Sequence, residues 1–167
     1  MPSQRLECMQ KSLECGQLYA HRMISDAGTD DSDSLARKLW HEVYSPKSPE
    51  KTYRVLLADF VKPNRINIFM YAESRAERLL SRESGRRILT DKMKPERVIL
   101  SHEIFHHLEE KYGREIFTLT EKVCLWSLGS LHNDSGIYAL LEIAAMLFAH
   151  ELNRLPCSPY LMDVFLV

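Results

Sequence analysis

The sequence lacks a long apolar run and has no excess of either charge. Its 167 residues include 22 basic and 23 acidic side chains, which gives a formal net charge of -1. A helix that spans a bilayer needs about 20 consecutive apolar residues, and a surface that binds nucleic acid carries clustered positive charge. We therefore expect no membrane segment and no direct contact with nucleic acid. Residues 1–8 also lack the apolar core of a signal peptide, so we expect a cytoplasmic protein.

Cysteine is scarce, and its spacing excludes two classes of small domain. The chain has four cysteines, and no two of them form a C-x-x-C pair. Disulfide-stabilised domains have many closely spaced cysteines, and zinc ribbons have C-x-x-C pairs. We instead expect thiols that are buried or half-buried, in a reducing compartment, at Cys8, Cys15, Cys124 and Cys157.

The length and composition fit one soluble domain with a substantial core. Hydrophobic residues make up 45% and charged residues 27% of the chain, as in ordinary globular proteins. We expect a single domain over residues 1–167, because a chain of this length rarely divides. The predicted fold class is α+β, mostly helical, with a small antiparallel sheet packed beside one central helix.

Apolar spacing, capping residues and turn-forming residues divide the chain into predicted helices and loops. The central helix has about 16 residues and ends at Gly113. Residues 114–129 carry both strand and helix signals and receive no assignment. The other helices are predicted over 3–24, 35–44 (capped by Ser34), 72–82 and 136–153, with loops at 26–33 and 132–135 and a short helix closing the chain.

Two strands are predicted before the central helix. Residues 52–60 and 65–71 are rich in β-forming side chains and flank a turn, which is typical of a paired unit. In the second strand the aliphatic residues Ile66, Ile68 and Met70 alternate with mixed ones. Because alternate side chains share a face of a strand, we expect this aliphatic face to lie against the helices.

Most of the chemical information lies in five residues of the central helix, His102-Glu103-Ile104-Phe105-His106. They form an H-E-x-x-H pattern. On a helix, positions i and i+4 share one face, so His102 and His106 can offer two ring nitrogens to one metal ion. Glu103 can reach a water molecule on that ion and act as a general base. His107 lies about 100° further around the helix and should point away.

A catalytic zinc ion takes three protein ligands and leaves one position open, so a third ligand is needed. The metzincin pattern would place Gly at position 109 and His at position 112, but Glu109 and Tyr112 stand there. Glu142 is the best candidate, because a carboxylate among apolar neighbours in a helix should be buried and needs a partner. Weaker candidates are His132, His150 and Glu151.

The two helices that carry these candidates resemble the two signatures of the ImmA/IrrE metallopeptidase family. The first signature is matched by the run from Ser101 to Leu108, which contains the H-E-x-x-H pattern. The second is matched from Glu142 through an aliphatic and small-residue stretch to Leu155-Pro156. The resemblance covers about residues 98–156 and departs at Met146, where the family commonly has Asn.

The resemblance implies a gluzincin-like, zincin-like minimal metalloprotease domain with Zn2+ held by His102, His106 and Glu142. Glu103 would take a proton from water and pass it to the leaving amine. Known members cleave helix-turn-helix repressors, which implies a protein or peptide substrate, with a transcriptional repressor as one candidate. An extended substrate could pair with the strand at 65–71 by β-augmentation, although an ordinary core or edge strand is as common.

The residues leave three points open. The group that stabilises the oxyanion could be any of several donors. These are Tyr112, His132, Tyr138, His150 and Arg154. A catalytically silent, zincin-like metal-binding or regulatory module is the main alternative function, although such a module has no need for Glu103. A structural zinc site would need a fourth ligand, such as Cys124 or Cys157.

Overall fold

The computed structural model describes residues 2–47, 57–69, 94–128 and 131–160, and over these ranges it is a mixed α+β structure rich in helix. The helices are α1 (Pro2–Ala27), α2 (Ser32–Lys38), α3 (Pro95–Lys111), α4 (Phe117–Thr120) and α5 (Tyr138–Asn153). The strands are β1 (Glu42–Tyr44), β2 (Ala58–Val61), β3 (Arg65–Ile68), β4 (Lys122–Leu128) and β5 (Leu131–Gly136). None of these helices combines the length and the apolar character needed to cross a membrane.

The three longest of these helices match the predictions. α1 covers the apolar stripe predicted at 3–24 and extends it to Ala27, and α5 covers most of the stretch predicted at 136–153. α3 is the central helix; it begins at Pro95, a residue suited to the first turn, and its C-cap is Tyr112, just before the predicted stop. The helices predicted at 72–82 and at the end of the chain lie outside the described residues.

The prediction of one helix over residues 35–44 is wrong. Asp31, rather than Ser34, caps α2, because its carboxylate accepts a hydrogen bond from the Ser34 backbone N–H at 2.9 Å. The helix therefore begins and ends earlier than predicted, and Trp40 then adopts a left-handed conformation with φ of 61°. Val43 and its neighbours pair with β3 as β1, since β-branched and aromatic side chains suit a strand once a neighbour is present.

The three-stranded sheet is mixed, which corrects the predicted antiparallel sheet. β2 and β3 form the predicted antiparallel pair, with Asp59 opposite Asn67, but β1 adds to the other side of β3 in parallel. β3 is therefore the central strand, so the prediction that it offers an edge to a substrate is wrong. Ile66 and Ile68 are buried as predicted. Met70 and the predicted strand residues 52–56 lie outside the described part of the chain.

The core surrounds α3. α1 packs along α5, α5 packs against α3, and the other side of α3 contacts β2 and β3. Phe105 of α3 and Phe148 of α5 are fully buried, with ring centroids 5.5 Å apart. Burial of side chains of this size stabilises a fold by about 1.5–3 kcal/mol each. α3 is thus held on two sides, which fixes the directions of the side chains that it carries.

The segment between α3 and α5 forms a short helix and a β-hairpin. α4 and β4 occupy most of the stretch that carried mixed signals, and β5 occupies the residues predicted as a loop at 132–135. That loop prediction is wrong because these turn-forming residues pair with β4, for example Asp134 with Cys124. Local composition was outweighed by cross-strand pairing.

The four cysteines all lie in described parts of the chain, and none forms a disulfide. Cys8 and Cys15 are buried and Cys157 is half-buried, as predicted. Cys124 is exposed, which departs from the prediction because it lies on the two-stranded hairpin rather than in the core.

Candidate metal centre

α3 places the two histidines of the H-E-x-x-H pattern one turn apart on the same face. His102 and His106 are half-buried, and their Nε2 atoms lie 3.1 Å apart. Such a separation fits either a proton shared between the two rings or two lone pairs directed at one ion.

α5 brings Glu142 to the same point. Its Oε2 atom lies 3.4 Å from Nε2 of His102, and the ligand atoms of Glu142, His102 and His106 all lie within 4.8 Å of one another. A tetrahedral ion with bonds of about 2.0–2.1 Å holds its ligand atoms about 3.3 Å apart. The separations of 3.1 and 3.4 Å therefore suit a small ion. Two imidazoles and one carboxylate are a donor set that could hold a divalent metal ion, and zinc is among the ions that accept it.

Two of the weaker candidates for the third ligand, His150 and Glu151, are not part of this group. His150 and Glu151 contact each other, with Nδ1 and Oε1 3.2 Å apart, and Glu151 also pairs with His21 of α1. They lie more than two turns beyond Glu142 on α5, toward α1. The side chain of His132 lies outside what the structure describes.

Hydrogen bonding keeps the carboxyl group of Glu142 ionised. The bond with His102 is the largest influence, and it outweighs burial to lower the pKa of Glu142 to about 2. Tyr138, one turn earlier on α5, also donates a hydrogen bond to this carboxylate. Glu142 is therefore a carboxylate at neutral pH, which is the form that binds a metal.

Glu103 is only 8% exposed, although it adjoins a half-buried histidine. Burial raises the pKa of its carboxyl group, and the nearby His102 and His106 offset this rise only in part. The carboxylates of Asp59 on β2 and of Glu142 raise the same pKa further. A carboxyl group in this setting takes up a proton readily, as a general base requires.

Glu109 supports the site, and sequence reasoning missed it. Its Oε2 atom lies 2.8 Å from Nδ1 of His106, and its Oε1 atom accepts a hydrogen bond from the Thr118 hydroxyl group at 2.6 Å. Burial alone would lower the pKa of His106, but this hydrogen bond and the charge of Glu103 outweigh burial and raise it. A signal was available, because Glu109 follows His106 by three positions and so lies on the same side of the helix.

His107 points away from the three ligand atoms, as predicted. Its ring packs at right angles to the ring of His41, with centroids 4.5 Å apart, and also contacts Phe60 of β2. On this side, α3 therefore packs against the sheet region through ring contacts.

A cavity of about 650 Å³ opens over the three ligand atoms, a volume in the usual range for ligand sites. Residues of β2, α3 and α5 line it. Val98 and Ile99, which precede the first histidine on α3, make one end apolar. Glu110, which follows the second histidine, lines the other end, where it pairs with Lys62 at 3.0 Å. Residues before the first histidine and after the second histidine of α3 thus both line the cavity, and they differ in polarity.

Tyr138 is the predicted oxyanion donor that lines this cavity, among those whose side chains the structure describes. Tyr112 instead packs under the guanidinium group of Arg22, which lies 4.4 Å from the ring centroid. Arg154 forms an ion pair with Asp30 at 3.0 Å. Of the predicted donors whose side chains are described, Tyr138 is therefore the one placed at the cavity.

No protein-family model, no curated protein and no solved structure matches this chain. The resemblance to the ImmA/IrrE family therefore stays a prediction from the motif residues. What the structure itself brings together are three ligand atoms and a buried glutamate beside them.

Proposed function

We propose that this protein is a zinc-dependent metallopeptidase with a zincin-like minimal fold. The observation that carries the proposal is the convergence of His102, His106 and Glu142 on one point, with Glu103 buried beside them. Metal binding alone has no use for a further buried carboxyl group, because burying it costs free energy. Hydrolysis at a metal has a use for it, because the attacking water must lose a proton.

The residues have distinct roles in the proposed reaction. Zinc held by the three ligands would supply a Lewis acid that acts on water and on a peptide carbonyl group. Glu103 would take the proton from the attacking water and deliver it to the leaving amine. Its buried position beside the ligand histidines suits this transfer, because the proton it holds between the two steps is shielded from solvent. The single O–H group of Tyr138, which donates to Glu142 in this structure, would donate to the carbonyl oxygen instead as negative charge develops there.

The substrate would bind as an extended strand along β2, which replaces β3 as the docking strand. Within the described residues β2 pairs with β3 on one side only, and Leu57, Asp59 and Phe60 line the cavity. An unpaired edge offers backbone N–H and C=O groups to a peptide, which is the β-augmentation mode. Val98 and Met146 line the same cavity, so the side chains accepted there should be apolar.

A regulatory protein, such as a helix-turn-helix transcriptional repressor, is the substrate class that the family resemblance favours. Pairing with β2 requires an extended segment, so cleavage should occur in a linker or an unfolded region of that protein rather than inside a folded helix. The near-zero net charge of the chain gives no reason to expect that it binds nucleic acid itself.

Cleavage of unstructured peptides by zinc-reconstituted protein tests the proposal. The Glu103→Gln variant should retain zinc but lose at least about 100-fold in kcat/KM, because glutamine has a similar shape and cannot accept the proton. Glu96→Gln, in the first turn of the same helix, is the matched control and should leave both zinc content and kcat/KM unchanged.

Two other outcomes have clear meanings. Zinc binding without cleavage of any peptide or repressor would favour the alternative, a catalytically silent metal-binding module. Failure to bind zinc after careful reconstitution would contradict both functions. A structural zinc site is disfavoured already, because among the residues that the structure describes no fourth His, Cys, Asp or Glu joins the three ligands.

A further inference from the structure

We propose that Glu109 and Thr118 form a positioning pair that holds His106 in one tautomer and aims its Nε2 atom at the ligand group. The functional meaning of this pair rests on the proposed metal site, whereas its hydrogen bonds are present without a metal. Neither residue would touch the substrate.

The tautomer follows from the chemistry of the partner. Glu109 is only 3% exposed, and its Oε2 atom lies 2.8 Å from Nδ1 of His106. A carboxylate only accepts hydrogen bonds, so Nδ1 must carry the proton. A neutral imidazole has a single N–H group, which leaves a lone pair on Nε2. That Nε2 atom is the one that lies 3.1 Å from Nε2 of His102, within the ligand group.

Thr118 fixes the direction of the carboxylate. Its hydroxyl group donates to Oε1 of Glu109 at 2.6 Å, and Thr118 is only 1% exposed. Rotation of the carboxylate would break this buried hydrogen bond and leave both partners without a replacement. α4, which carries Thr118, packs in turn against α1.

His102 has no comparable support. Its Nδ1 atom is buried and has no hydrogen-bond partner in the described part of the chain. The two histidines of the motif are therefore held differently: a buried chain of hydrogen bonds orients His106, whereas packing and Glu142 orient His102. Changes at Glu109 or Thr118 should act on His106 first.

A positioning role and a purely stabilising role predict different measurements. If Glu109 only satisfied the hydrogen bonds of its neighbours, its substitution would change the free energy of unfolding but not the metal affinity. A residue that orients a metal-ligating histidine also changes metal affinity, typically by about 10–100-fold. The tautomer of the histidine provides a second readout, which does not require any metal.

The test compares Thr118→Val with Thr118→Ser, and uses Thr120→Val as the matched control. Valine has the shape of threonine without its hydroxyl group, and serine restores the hydroxyl group. Thr120 lies on the same short helix, but its hydroxyl group donates to the carbonyl oxygen of Ile116 instead of to Glu109. Zinc affinity is measured by competition with a chelator, and the histidine tautomers of the metal-free protein are measured by nitrogen-15 NMR.

We expect Thr118→Val to weaken zinc binding by about 10–100-fold and to give His106 a mixture of its two tautomers. Thr118→Ser should recover most of the affinity and the single tautomer, and Thr120→Val should match the wild type. Glu109→Gln should produce the same two changes as Thr118→Val, because an amide has no charge and only one acceptor oxygen. If one of these two variants fails to fold, the other still tests the proposal.

The proposal is overturned if Thr118→Val and Glu109→Gln lower the unfolding midpoint but leave both zinc affinity and the His106 tautomer unchanged. Weakened zinc binding by these variants, combined with no peptide cleavage by the wild type, would support the positioning pair and contradict the peptidase function. If the wild type binds no zinc, the tautomer decides: a mixture in Thr118→Val supports the pair, and a single Nδ1-protonated form overturns it.

Discussion

Gly16 of α1 lies so close to Ala144 of α5 that a Cβ atom on Gly16 would clash with the Ala144 carbonyl oxygen. Both residues are buried, and both lie in the interior of long helices. Glycine weakens a helix by about 1 kcal/mol relative to alanine. At this crossing the missing side chain is what allows the two helices to approach, so α5 and the glutamate that it carries depend on Gly16 for their place.

Gly16→Ala should destabilise the protein by about 1–3 kcal/mol in spite of its better helix propensity, because the added methyl group meets backbone atoms that cannot move alone. Urea denaturation measures the change. Gln17→Ala, at the exposed neighbouring position, is the control and should stay within about 0.5 kcal/mol of the wild type. A Gly16→Ala protein as stable as the wild type would show that the helices can separate at no cost.

Glu142→Ala should weaken zinc affinity by more than about 100-fold, because it removes a ligand atom. Substitution of a residue that only orients a ligand typically weakens metal affinity by about 10–100-fold. Glu151→Ala on the same helix is the matched control, since Glu151 pairs with His150 and His21 instead. Chelator competition measures both variants. Equal zinc affinities of the two variants would show that Glu142 is not the third ligand.

Metal-free Glu103→Gln protein should be more stable than the metal-free wild type at neutral pH. The folded-state pKa of Glu103 is raised above its ordinary value of 4.5, so the folded protein holds this proton more tightly than the unfolded chain does. As the pH rises above about 4.5, the unfolded chain releases the proton first and the wild type loses stability, whereas glutamine does not titrate.

Thermal unfolding in the presence of a chelator, from about pH 4 to about pH 8, checks this linkage. The advantage of Glu103→Gln should grow with pH over that window. An advantage that stays constant, or that grows toward acid, would mean that the carboxyl group of Glu103 is not held in its protonated form by burial.

Tyr138→Phe should lower kcat by about 100–1,000-fold, as expected when one hydrogen-bond donor to a developing oxyanion is removed. Tyr138 also donates to Glu142, so zinc affinity is measured on the same preparation to separate the two roles. Tyr112→Phe is the control, because Tyr112 packs against Arg22 away from the cavity. If zinc-loaded Tyr138→Phe protein has an unchanged kcat, a group other than Tyr138 donates the hydrogen bond to the oxyanion.

Features with local causes could be predicted from the sequence. Helical spacing located α1, α3 and α5, and the four-residue interval of the motif put His102 and His106 on one face. The apolar neighbours of Glu142 marked it as a carboxylate that needs a partner, and the structure brings it beside His102. Alternation of aliphatic side chains located β3 and its buried face.

Features that depend on distant partners could not be predicted in this way. β1 is a strand because β3 lies beside it, although the residues before it continue a helical pattern. The residues of β5 look like a loop until β4 pairs with them. The spacing of Glu109 places it on the His106 side of α3, but its hydrogen bond with Thr118 could not be predicted, because Thr118 lies on a helix of four residues that local signals did not define. In each case a tertiary contact outweighs the local preference.

The three ligands of the candidate centre are divided between α3 and α5, which are far apart in the sequence. An unfolded chain cannot bring them together, so an ion bound there would favour the folded state alone. Above the dissociation constant, each tenfold rise in free ion would then add about 1.4 kcal/mol to the stability. An ion bound there would thereby lower the fraction of unfolded molecules that cellular proteases can degrade.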